Sequence, residues 1–202
     1  MQPMSSQVAG TVDWARIEAW RQDLEAGELD RIRAAFEPVG LGGLEVVRSP
    51  PPAALRAQAN RFLLEDWLAQ RKGAMMPMIG AIDPIRWLPA LGAILLVEPI
   101  DRGRDFRYRL YGSDVVAVSG YEMTGKPMTA HAVPAELICF GIALYRTVLQ
   151  RPEAVMTVNR PTLAAFSCWE RIVLPFADAT GAVVRFAVGN VGFGQDGREL
   201  HG

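Results

Sequence analysis

Between residues 93 and 193 the hydrophobic pattern changes period in a set order, and that order constrains the fold more than any single motif. Ala93–Ile100 is apolar almost throughout, and Phe106–Tyr111 alternates with period two, so both read as strands. The charged turn Asp101–Asp105 reverses the chain between them, which predicts a hairpin. Short helical turns start at Ser113, with turn signals at Gly120-Tyr121 and Thr124-Gly125-Lys126-Pro127. A longer helix is predicted from about Pro134 to Gln150, with Pro134 in its first turn and Arg151-Pro152 ending it. Three further strands follow at Ala154–Asn159, Ser167–Phe176 and Val183–Val191, the last two joined by a turn at Asp178, Thr180 and Gly181. Two early strands must find partners among three late ones. The expected fold is therefore α+β: one five-stranded antiparallel sheet with helices over one face, able to enclose a small cavity.

The N-terminal part has another grammar. Residues 12–37 carry Ile17, Trp20 and Leu24 at helical spacing behind a possible cap at Thr11 or Asp13, with a break at Ala26-Gly27. Gly40, Gly42, Gly43 and Pro50–Pro52 read as a linker, and a second helix is predicted from about Pro52 to Lys72. The expected division is a helical extension with a Pro-rich linker over 1–52, a main domain over 53–193 and a flexible tail over 194–202.

Composition enters by exclusion. Half of the 202 residues are hydrophobic and the formal net charge is −1, a globular balance with no basic run to hold nucleic acid. Cys139 and Cys168 are too few and too far apart for a secreted disulfide framework. The polar N-terminus lacks a signal pattern, and the most apolar stretch, from Leu88, holds two prolines and is too short to span a bilayer. A cytoplasmic protein with no membrane or direct nucleic-acid partner is expected.

The stretch from Phe106 to Met128 then carries a resemblance. Its Gly-Tyr turn followed by Gly-Lys-Pro resembles the small-helix segment of PAS sensor domains, and the order of elements extends the likeness over about residues 58–192. Trp67, Met76-Pro77, Ile82-Asp83-Pro84, Leu88-Pro89, Phe106–Gly112 and Glu170-Arg171 with Leu174-Pro175 look like a group of bacterial single-domain PAS proteins of unassigned function. Only Glu122-Met123-Thr124 stands where common PAS domains carry a longer acidic helix, so the helix layer is expected to be shortened there. The resemblance implies a sensory or regulatory module rather than an enzyme. It would bind a small ligand, a partner protein or both, and signal through a homodimer or a helix rearrangement.

Alternation puts Phe106, Tyr108 and Leu110 on one face of the second strand and Arg107, Arg109 and Tyr111 on the other. Phe106, Tyr108, Leu110, Tyr121, Phe140, Leu144 and Trp169 are the candidate ligand-binding residues, although core packing accounts for the same apolar pattern. Tyr108 stands out among them, because a phenol in an apolar cavity needs a partner. Arg107, Arg109 and Arg171 are expected together on the opposite face, where they would take the acidic 12–37 helix, its own or a second copy's. Trp20, Leu24, Arg107, Arg109 and Arg171 are thus the candidate partner-binding residues, against the plainer reading of a solvated face with scattered ion pairs.

His131 precedes the long helix and His201 lies in the tail, so neither is placed as a haem ligand, and the flavin-photosensor Asn-Cys pair is absent. Cys139 reads as a small core residue. No metal-spaced cluster, phosphate-binding glycine loop or nucleophile–base pair is evident, so no cofactor, metal or catalytic residue is assigned. The alternative is a small α+β enzyme of isomerase or hydratase type working through Tyr108 and Asp114.

Overall fold

The computed structural model describes residues 12–161 and 166–201. Asp13 accepts a hydrogen bond from the Arg16 amide (2.9 Å) and so starts α1, Trp14–Ala26, which Gly27 ends in the left-handed conformation that only glycine adopts freely. A second helix, α2, covers Asp30–Phe36. The next segment corrects the expected linker: Leu41–Arg48 is a strand, β1. Gly43, at φ +54°, forms a bulge between Gly42 and Glu45, and past it Leu44 is buried. Glycines that look like linker residues in the sequence therefore act here as a bulge device.

Helix α3 spans Gln58–Gln70, the hairpin β2 (Ile94–Ile100) and β3 (Asp105–Tyr111) follows, and the short α4 is Ser113–Ser119. Residues 120–127 hold no helix, as the shortened layer requires, and a single 3-10 turn at Met128–Ala130 leads to α5, Ala135–Gln150. Strands β4 (Val155–Pro161), β5 (Phe166–Ala177) and β6 (Val183–Gly194) complete the chain. They form one antiparallel sheet in the order β1-β4-β5-β6-β2-β3. The five expected strands are all there, and β1 adds a sixth at the β4 edge.

Helices cover both faces of the sheet rather than one. The face turned to α5 is called inner here: Tyr145 of α5 stacks on Phe186 of β6 (5.1 Å between centroids) and lies against Phe106 of β3 (5.1 Å). The outer face carries α3. Its Trp67 indole donates to the Pro175 carbonyl (2.8 Å), and Leu63 with Asn60 lies over Gly189, where an added Cβ would meet the Asn60 side chain. The start of α3 has no side-chain cap of its own. Glu170 of β5, 2 % exposed, accepts from the amides of Arg56 (2.8 Å) and Ala57 (3.0 Å) and from the Asn60 side chain (3.1 Å). A carboxylate on orphan helix amides is stabilised by hydrogen bonding and by the helix dipole.

Helices α1 and α2 do not lie on the arginine-bearing outer face. They pack outside α5: Trp20 meets Phe36 edge-on (6.1 Å), Phe36 meets Phe140 edge-on (5.5 Å), and Arg16 pairs with Glu136 (3.0 Å). The physical reason is apolar surface. Helix α5 is buried on both sides, at Cys139, Phe140 and Thr147 as well as at Ile138, Ile142 and Tyr145, so it needs a second cover. Residues 195–201 fold back on β6, with the Leu200 amide donating to the Gly192 carbonyl (2.8 Å) and Glu199 accepting from the Gln58 amide (2.7 Å).

Candidate ligand site on the inner face of the sheet

Register decides which side chains share the inner face. Directly paired residues of antiparallel strands point the same way, so each rung of the sheet can be read across. Val155, Val173, Val188, Leu95 and Tyr111 make one rung, apolar until its last member. Beside it Thr157, Arg171 and Asn190 make a polar rung, and Asn159, Trp169 and Gly192 make the next. Glu170, one residue from Arg171, faces α3 on the other side. A guanidinium is thus seated in mid-sheet, on the face that α5 covers.

This placement separates Arg171 from Arg107 and Arg109. Those two stay on the outer face, 43 % and 53 % exposed, and share Glu98 (3.9 Å each) with Arg185 (3.1 Å). The expected arginine trio does not form, because β5 is apolar on both faces and its parity cannot be read from alternation. Strand β3 holds a second correction. The pairing of β2 with β3 slips between Leu96 and Val97, leaving Arg109 as an extra residue. Beyond such a bulge every side chain changes face. Leu110 therefore pairs with Leu96 on the outer side, and Tyr111 turns inward to sit 9 % exposed beside Tyr108.

The other candidates divide in the same way. Phe106 and Tyr108 face inward, and Tyr121 lies edge-on to His131 (4.7 Å) with its hydroxyl donated to the Ala132 carbonyl (2.8 Å). Trp169 stands on the inner face near the Gly192 backbone. Phe140 packs against Phe36 of α2, and Leu144 is buried in the same helix. Trp20 and Leu24 are buried within their own chain, so they present no partner surface.

Tyr108, Tyr111, Tyr145 and His131 gather round the polar rung. The Tyr111 and Tyr108 rings meet edge-on (5.2 Å), and the Tyr111 hydroxyl lies 3.5 Å from His131 Nε2. Burial lifts Tyr145 to about 12, raises Tyr108 well above its ordinary value and raises Tyr111, while Arg171 pulls against each of these shifts. Burial also pushes His131 down to about 4, with Arg171 and Lys126 adding to the effect, so the imidazole is neutral at pH 7. His131 Nδ1, Thr157 Oγ1 and Asn190 Oδ1 are buried without a hydrogen-bond partner among the described residues. A folded chain rarely buries such groups idle, since each costs about 1–3 kcal/mol. A crevice of about 40 Å³ reaches Asn190 and Trp169 from the side of Asp114, Leu200 and His201.

Sequence reasoning missed Thr157, Asn190, His131 and Tyr111 as site residues and put Arg171 on the wrong face. The available signal was polar residues inside otherwise apolar strands, Thr157 in VMTVN and Asn190 in VGNVG. Chemically the arrangement offers one fixed cation, a hydroxyl, an amide, an imidazole and several phenols, a set of groups able to hydrogen-bond a polar or anionic group. Asp114, named with Tyr108 in the enzyme alternative, lies at the start of α4, 3.6 Å from His201, whereas Tyr108 is in the aromatic group. Among the described residues no three His, Cys, Asp or Glu side chains group to hold a metal ion, and no helix is long and apolar enough to cross a membrane.

Comparison with curated proteins and with solved structures finds no match for the chain. A family model described as PAS domain matches residues 55–190, which takes in α3, the β2–β3 hairpin, α4, α5 and most of the last three strands. The sheet order of those strands, the long helix over the inner face and that match lead to one conclusion: the chain belongs to the PAS domain family.

Proposed function

We propose that this protein is a sensory and regulatory module that binds a small molecule between the sheet and α5 and passes its occupancy to α1 and α2. The observation that carries this reading is the polar rung Thr157–Arg171–Asn190 on the face turned to α5, with a half-buried guanidinium between two buried side chains whose Thr157 Oγ1 and Asn190 Oδ1 lack partners. Membership of the PAS family supports a sensory role, and fold alone does not name the ligand. The route outward is α5, which touches the sheet with Tyr145 and α2 with Phe140. Thr147 of α5, whose hydroxyl donates to the Ala143 carbonyl of its own helix (2.9 Å), stands 3.5 Å from the Arg21 carbonyl of α1. A ligand with different affinity for two positions of α5 would shift α1 with it.

Native mass spectrometry of the purified full chain, followed by hydrogen–deuterium exchange with and without the bound molecule, tests the reading. A bound small mass with added protection in β4–β6, α5 and α1 is expected. A bare chain that no compound in a broad small-molecule screen stabilises would refute it.

A second reading concerns partners. Arg107 and Arg109 stay exposed on the outer face of β3, with Glu98 3.9 Å away from each. We propose this face for a signalling partner or a second copy. Sedimentation of wild type against Arg107→Glu/Arg109→Glu would show a loss of association; an unchanged mass distribution in the presence of partner would refute it.

A further inference from the structure

We infer that the ligand of the inner-face site is a small organic carboxylate, its charged end held by Arg171 between Thr157 and Asn190. The inference rests on the ligand-sensing reading above and adds the chemical class to it.

Charge comes first. Arg171 is half-buried in mid-sheet, and among the described residues no carboxylate lies within ion-pair distance of its guanidinium. Two acidic groups that act on the neighbouring tyrosines are otherwise engaged: Asp105 accepts from Thr129 (2.6 Å) and the Phe106 amide (2.7 Å), while Glu122 accepts from the Thr124 amide (2.7 Å). Charged side chains are seldom enclosed unless paired, and a guanidinium matches a carboxylate with two parallel hydrogen bonds.

The neighbours on the rung supply the rest. Thr157 is 1 % and Asn190 6 % exposed, and each is paired in register with Arg171 from an opposite side. Thr157 Oγ1 is without a partner, and a hydroxyl donates readily to a carboxylate oxygen. Asn190, whose Oδ1 is the buried atom without a partner, also carries an amide NH₂ that offers a second donor on the other flank. These groups present one positive charge with donors on both sides. His131 is neutral, and Lys126 is exposed with its ammonium on the Glu122 carbonyl (2.9 Å). A single cation balances a monoanion; a phosphate dianion would want a second cation or a set of helix amides. Tyr108, Tyr111 and the aliphatic rung of Val155, Val173, Val188 and Leu95 form the adjoining inner surface, which suits an apolar or aromatic carbon skeleton.

The test uses matched pairs that differ in charge alone. Benzoate and hexanoate are compared with benzamide and hexanamide by calorimetric titration and thermal shift on the full chain, at concentrations up to ~10 mM. The carboxylates are expected to bind about tenfold or more tightly than the amides. Arg171→Met should erase that preference, and Arg171→Lys should keep part of it. Thr157→Val, which keeps the volume of the side chain, checks the site should both arginine variants fail to fold, and is expected to weaken carboxylates but not amides. Equal binding of acid and amide, or a preference that survives Arg171→Met, would overturn the anion class while leaving a ligand sensor in place. No carboxylate preference anywhere in the series also overturns it. A chain that neither carries a small mass nor responds to any compound would remove the ligand-sensing reading itself.

Discussion

Acid should destabilise this fold through one histidine. His131 is 8 % exposed, ringed by Tyr108, Tyr111 and Tyr121, with the Tyr111 hydroxyl 3.5 Å from its Nε2 and Arg171 and Lys126 opposing a proton. In the fold it titrates at about 4, against an ordinary value of 6.5. Between those values the unfolded chain binds more protons than the folded one, so falling pH favours unfolding. The contribution is fully present above 6.5 and is lost as pH falls toward 4. The whole gap amounts to about 3 kcal/mol, of which about 2 kcal/mol is lost between roughly pH 7.5 and 5. Urea unfolding of wild type and His131→Gln across that range isolates it, because the carboxylates that titrate lower down are common to both. Wild type should lose about 2 kcal/mol more than the variant over the interval. Parallel curves, within about 0.5 kcal/mol, would refute the argument and with it the enclosed, cation-flanked setting assigned to His131.

Three further outcomes follow from the packing. Glu170→Gln replaces a buried acceptor of the Arg56, Ala57 and Asn60 donors, and should cost about 2 kcal/mol in chemical denaturation; an effect under about 0.5 kcal/mol would mean the carboxylate does not anchor α3. Gly189→Ala should cost about 1–3 kcal/mol, because its Cβ would run into an Asn60 side chain held by Glu170, whereas Gly192→Ala, facing Val118 at 3.1 Å, should cost less; equal melting points would refute the difference. Trp20→Ala should cost about 3–5 kcal/mol at any protein concentration, since Trp20 is buried in its own chain; a near-neutral effect on the isolated chain would return it to a partner surface.

How much of this was legible in advance varied with the kind of signal. Elements marked by periodicity and strong punctuation, such as α1 ended by Gly27 and α5 bounded by two prolines, stand within a residue or two of the sequence expectation. The family motifs and the order of elements pointed to the PAS fold that the family match shows. Strand β1 escaped because its glycines carry the chemistry of a linker, and only pairing with β4 gives them the role of a bulge.

The site was the least legible part, for a reason of geometry. Period-two alternation fixes relative facing along a strand, but one extra residue inverts it, and the bulge at Arg109 exchanged Leu110 for Tyr111. In β5 both faces are covered, one by α3 and the other by α5, so apolar residues stand on both and no alternation shows which way Arg171 points. The sequence alone determined the fold class and the principal helices, because these depend on local periodicity and turn chemistry, and its motifs carried the family resemblance that the family match shows. Only the tertiary structure decided that Thr157, Arg171 and Asn190 form one polar rung, because residues so far apart in the chain meet through strand register, a property of paired strands and of no strand by itself.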